Sequence, residues 1–206
     1  MVVEFLFRYF HVLAGLVWVG MLYYFNFVQT EYFKEAEAAA KADAMQKLAP
    51  RALKWFRYGA LVTFITGLGL LHYVAPFKAP TVSALILVGA LCGTLMFLNV
   101  WLIIWPKQKI VLGMKDGDGP AAAAKAGLAS RTNTLFSGPM LLGMVGSKNL
   151  YIADVSTTGL IAACGLILLL ELNALFGRVG PMASVVGVVH LSLVLAGVVW
   201  ALLALL

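Results

Sequence analysis

The chain of 206 residues is 62% hydrophobic and only 12% charged, with a mean hydropathy of +0.94, whereas a water-facing domain of that size carries roughly a quarter charged residues. That composition excludes a soluble globular domain, a disordered segment and a small secreted scaffold, and makes a lipid bilayer the expected solvent. The formal charge of +6 does not imply a nucleic-acid partner, because basic residues of a membrane chain gather on its cytoplasmic loops.

A transmembrane helix needs about 20 mostly apolar residues. Six windows of this kind, near 5–29, 53–75, 83–105, 128–146, 155–177 and 182–206, predict an all-α integral membrane bundle of about six transmembrane helices, forming a single domain. Before the first window, Glu4 stands where a signal peptide would carry basic residues, so the first span is expected to stay in the mature protein. Within that window Gly15 and Gly20 bracket Trp18. The connection EYFKEAEAAAKADAMQKLAP (31–50) is Ala-rich with interleaved Glu and Lys, which predicts a short exposed helix ending before Pro50.

In the second window Gly59, Thr63 and Gly67 recur every four residues, and in the third Gly89 and Gly93 do the same. Small residues at this spacing let helices approach closely in lipid. The stretch KDGDGPAAAAKAG (115–127) reads as a Gly/Asp turn followed by a Pro-initiated, Ala-rich helical turn. The fourth window is the weakest, because Arg131, Asn133 and Pro139 interrupt it; a re-entrant segment is the alternative there. Trp105, Tyr151 and Trp200 lie near window ends, where aromatic rings anchor helices at the interface.

The connections after the first, third and fifth windows, with the window ends that adjoin them, hold Lys34, Lys41, Lys47, Arg51, Lys54, Arg57, Lys107, Lys109, Lys115, Lys125, Arg131 and Arg178, 12 of the 15 basic residues. The opposite face holds Arg8, Lys78 and Lys148. Positive-inside bias therefore predicts a multi-pass protein of the bacterial inner membrane with both termini in the periplasm.

Ionisable groups inside an apolar span need a partner or a task. At about 1.5 Å per residue, His11 and His72 lie near the same, periplasmic face of the membrane. Two imidazoles on antiparallel spans are candidate axial ligands for a b-type haem. The alternatives are a backbone hydrogen bond to a neighbouring helix for His11 and a place in the interfacial belt with Tyr73 for His72. The stripe His11, Gly15, Trp18, Leu22, Asn26 follows one face of the first helix. Toward the cytoplasm, Glu171, His190 and Asn99 fall at comparable depth, with Asn26, Arg57 and Arg131 as candidates for the same polar layer. That layer reads as a proton relay, a quinone or substrate site, a second haem site at His190, or an interhelical polar clamp. Cys92 and Cys164 are expected to be packing residues, no metal beyond a haem iron is expected, and without C-x-x-C-H no covalent c-type haem is attached.

The stretches HVLAGLVWVGMLYYFNFVQ (11–29), APRALKWFRYGAL (49–61), NVWLIIWPKQK (99–109) and ASRTNTLFSGPML (129–141) together resemble the urate oxidase N-terminal family, the membrane part of cytochrome c-linked urate oxidases. His11 with Trp18 also resembles the first helix of the HemJ-type membrane protoporphyrinogen oxidases, whose histidine is associated with haem. The first resemblance implies an integral membrane oxidoreductase module that passes electrons toward a periplasmic c-type cytochrome. It draws attention to His11, Asn26, Arg57, Asn99, Trp101, Trp105, Arg131, Thr132 and Asn133. The sequence reaches Leu206 without a cytochrome domain, which leaves open a non-catalytic accessory subunit of a larger respiratory, photosynthetic or oxygenase complex, and an enzyme acting on urate or another small reduced substrate.

Overall fold

The computed structural model describes residues 2–74, 83–150, 152 and 155–206; the predicted outer-face Lys78 and the anchor Tyr151 lie outside them. Among the described residues there are six long helices and no strand. We label them α1 (Val2–Glu35), α2 (38–74), α3 (Ala84–Val111), α4 (Gly119–Asn149), α5 (Thr157–Phe176) and α6 (Val185–Leu205). Four of them, α1, α3, α5 and α6, are long and apolar enough to cross a membrane. These helices fit a multi-pass membrane protein in a lipid bilayer.

Three stretches wind as π-helix inside longer helices: Tyr24–Gln29 in α1, Ala44–Leu48 in α2 and Asn99–Ile104 in α3. Two of them end two residues before a proline, Pro50 and Pro106. Proline lacks the N–H for the i−4 bond and its ring collides with that carbonyl, so an α-helix running into it must bend or rearrange. One wide turn absorbs the defect: the Ala49 N–H reaches Ala44 O and the Trp105 N–H reaches Val100 O, five residues back instead of four. The predicted helix end before Pro50 is therefore not found. The chain breaks earlier, at Ala36, which is extended (φ −67°, ψ 138°), and then runs helically from Ala38 to Val74.

The turn before α4 follows its sequence more closely. Gly113 and Gly117 adopt φ of 69° and 154°, values that glycine accepts without a Cβ penalty. The Asp118 carboxylate accepts the Ala121 N–H at 2.9 Å, capping the helix just before Pro120. α4 then continues unbroken through Pro139 to Asn149, with no re-entrant loop.

The chain divides into two compact units, Met1–Gly69 with Phe97–Ser130, and Leu70–Met96 with Arg131–Leu206. In the first, α1 and α2 run antiparallel at backbone contact. A Cβ on Gly59 would lie 3.1 Å from Trp18 N and 3.3 Å from Ala14 O, and one on Gly69 would strike the Phe7 ring. The stripe Ala14, Trp18, Leu22, Asn26 is buried along this face. In the second unit Gly89 of α3 meets Gly143 of α4: a Cβ on Gly143 would lie 2.6 Å from Gly89 Cα. Ser192 of α6 lies against Gly138 of α4 in the same manner, and its hydroxyl accepts the Gly138 N–H at 3.0 Å. Cys92 is buried, Cys164 is half-buried, and both are free thiols.

α4 is short of hydropathy as a span, and its burial supplies the reason. Every position from Arg131 to Ser137 is buried. A helix enclosed on all sides by protein does not have to be apolar on the lipid's account. The Gly89–Gly143 approach gives a test. Gly143→Ala should lower stability by about 1–3 kcal/mol, because rigid backbone must move, read as an earlier thermal unfolding transition in detergent. Gly93→Ala should be close to neutral, since only the flexible Met140 side chain faces that position, at 3.9 Å.

Candidate functional site

Near the start of α1, His11 projects onto α2. Its Nδ1 lies 2.9 Å from the Thr63 carbonyl oxygen and 3.2 Å from Thr66 Oγ1. A carbonyl only accepts, so Nδ1 carries the proton and the neutral ring keeps its lone pair on Nε2. The Thr66 hydroxyl donates to Val62 O at 2.6 Å and so offers Nδ1–H a lone pair. Gly67 completes the seat, because a Cβ there would lie 3.1 Å from His11 Cε1. Beside it a shallow apolar groove of about 370 Å³ is lined by Val3, Leu6, Phe7, Phe10, Val62 and Thr66. The backbone bond that sequence reasoning offered as the alternative to haem ligation is therefore formed, and it leaves Nε2 in the state a metal ligand requires.

Further along α1, Asn26 is 3% exposed and sits in the first π-helical stretch. Its Nδ2 donates to Leu22 O at 2.9 Å and to Ser130 Oγ at 2.8 Å. In the same unit Asn99 opens the π-helical stretch of α3 and is also buried. The aromatic run around it packs on α2: Phe97 stacks on Phe64 at 4.1 Å, and Trp101 meets Tyr58 edge-on at 6.4 Å. Arg57 lays its guanidinium over the Trp105 ring, 3.2 Å from its centre, while its Nε donates to Leu53 O at 3.1 Å. The indole N–H groups of Trp18 and Trp101 are buried and have no hydrogen-bond acceptor.

The second unit holds the remaining predicted residues. Asn133 of α4 is fully buried and donates to Met96 O of α3 at 2.9 Å. Arg131 and Glu171 are buried, and both are engaged by neighbours. His190 is exposed and holds the carbonyl of Val186, on its own helix, at 2.7 Å. Glu171 and His190 thus occupy different environments, one enclosed and one facing outward. His72 is exposed with its ring edge-on to that of its neighbour Tyr73 at 5.8 Å. Among the described residues no three His, Cys, Asp or Glu side chains gather as a metal site.

One stretch of the chain matches a known family. Residues 79–177 fit the family model described as urate oxidase N-terminal. The match takes in α3, α4 and α5, including Asn99, Trp101, Trp105, Arg131, Thr132, Asn133 and Glu171. The urate oxidase N-terminal resemblance read from the sequence holds. His11, Asn26 and Arg57 precede the matched segment. At its coarsest the family points to a membrane protein connected with redox chemistry. No curated protein and no solved structure matches the chain.

Sequence reasoning found His11 and Asn26 but not what receives them. Thr63, Thr66 and Gly67 form the seat of His11, and Ser130 binds Asn26. The signal was present: two threonines three apart with a glycine next to the second, in an otherwise apolar span, offer a hydroxyl and room for a ring. The Asn26–Ser130 bond should carry a coupling energy of about 0.6 kcal/mol and at most about 1.7, the range of hydrogen bonds between membrane helices. A double-mutant cycle of Asn26→Ala and Ser130→Ala, read by unfolding in detergent, measures it.

Proposed function

We propose that this protein is a membrane redox module of six spans in the bacterial inner membrane, that it holds a b-type haem through His11, and that it passes electrons to a periplasmic c-type cytochrome. The observation that carries the proposal is the fixed imidazole. Thr63 O sets the tautomer and Thr66 and Gly67 set the ring's orientation, which is how an iron-ligating histidine is usually supported from behind. The adjoining groove is shallow and apolar and shares Thr66 with the seat of His11. Its Phe7 and Phe10 side chains would exclude water from a bound ring. A haem bound there would supply a one-electron couple whose potential is set by its axial ligands. The 12 basic residues on the odd connections and the window ends that adjoin them support placing His11 near the periplasmic face, with both termini on that side.

The experiment is an optical spectrum of the purified full chain before and after dithionite. A Soret band and a reduced α-band at about one haem per chain are expected, and both should be lost in His11→Ala. His72→Ala and His190→Ala report whether either supplies a further ligand. A chain with no Soret band overturns the proposal.

The bonds at His11, Asn26 and Asn133 also favour a second reading, in which all three are interhelical clamps of a non-catalytic accessory subunit in a larger membrane complex. That subunit would contain no haem and would co-purify stoichiometrically with its complex in mild detergent.

A further inference from the structure

From Ala44 to Lys115 the sequence has no Asp or Glu, yet it carries Lys47, Arg51, Lys54, Arg57, Lys107, Lys109 and Lys115 around the facing ends of α2 and α3. Three ion pairs, Glu4–Arg8, Glu31–Lys34 and Asp43–Lys47, each lie within one stretch of helix. None reaches Arg57 or Lys109. Both of these cations nonetheless gather on a single indole: Arg57 Cζ lies 3.2 Å and Lys109 Nζ 5.8 Å from the centre of the Trp105 ring. Lys54 stands one turn before Arg57 on α2. Two like charges within 6 Å of one ring centre repel each other where the dielectric is low, and none of those three ion pairs offsets them. The guanidinium lies over the ring and its Nε donates to the Leu53 carbonyl; the Nη donors of a guanidinium form a planar fork that suits two phosphate oxygens.

The surroundings indicate where such a phosphate comes from. Trp55 and Tyr58 are 64% and 49% exposed on α2, at the level where aromatic rings mark the headgroup region. From that level the exposed side chains continue as Val62 and Ile65 on α2 and Leu102 on α3, apolar surface for an acyl chain.

We propose that Arg57, Lys109 and Trp105, with Lys54, form a binding site for the phosphate of an anionic phospholipid. The lipid phosphate supplies a counter-charge to Arg57 and Lys109.

The test uses the full chain in bilayer nanodiscs of phosphatidylcholine containing about one-fifth phosphatidylglycerol, released into mild detergent, with retained lipid counted by native mass spectrometry. Wild type is expected to retain phosphatidylglycerol in preference to phosphatidylcholine. Arg57→Gln and Lys109→Gln should each lower that retention several-fold. Arg57→Lys, which keeps the charge and loses the planar fork, should fall between. Arg8→Gln, on α1 and paired with Glu4, should retain it as wild type does. Should Arg57→Gln fail to fold, Lys109→Gln carries the same test. Equal retention in Lys109→Gln, or no preference for phosphatidylglycerol in wild type, overturns the proposal. So does displacement of the lipid by millimolar inorganic phosphate, which would make the ligand a free anion.

Discussion

A helix that carries Arg131, Thr132, Asn133, Thr134 and Ser137 in one run cannot turn any face to hydrocarbon, because each unsatisfied polar group there costs several kcal/mol. The structure meets that constraint by enclosing the whole run. Burial at every position explains why α4 is poor in hydropathy, why Gly143 and Gly138 must admit the backbones of α3 and α6, and why Asn133 finds a carbonyl on α3. Outer helices can then be nearly pure hydrocarbon. In α5 and α6 Glu171 and Ser192 are buried while Leu168, Leu169, Leu193 and Val194 are exposed; His190 of α6 is a polar residue that faces outward and holds a carbonyl of its own helix.

The same economy governs α1 and α2. α1 is largely exposed and apolar, and what fastens it is a narrow seam: the Gly59 approach at Ala14 and Trp18, the Phe25–Phe56 edge contact at 5.6 Å, and the His11 bond to Thr63 O. In lipid, apolar contact between helices gains little over contact with acyl chains. Close backbone approach and a few hydrogen bonds therefore have a disproportionate share in positioning this helix. His11 belongs to the fastening and to the proposed chemistry at once, and one bond serves both by fixing the ring from its Nδ1 side.

Much of this was legible in the residues. Window length and hydropathy give the six helices, and the small-residue stripes at Gly59–Thr63–Gly67 and Gly89–Gly93 mark faces that do pack, although Gly93 meets a methionine side chain at 3.9 Å where Gly89 meets backbone. The urate oxidase N-terminal likeness was carried partly by the stretches around Asn99 and Arg131, inside the matched segment. Depth counting served less well. It placed Glu171 and His190 in one layer, but depth says nothing of azimuth, and His190 turns outward while Glu171 turns in. The helix end before Pro50 failed for a related reason, since a π-helical turn is a backbone solution that no side-chain pattern announces.

Those wide turns also limit how the chain can vary. Each adds a residue to a helix without lengthening the hydrogen-bonded ladder on both sides, so the residues beyond it are rotated by about 100° from where an unbroken α-helix would put them. In α3 the stretch Asn99–Ile104 is what aims Trp105 at Arg57 while Phe97 still faces Phe64. Side chains within NVWLII are exchangeable to the extent that their own surroundings allow, but its length is not. Removing one residue would leave two well-formed helical halves whose aromatic contacts with α2 could not be made together.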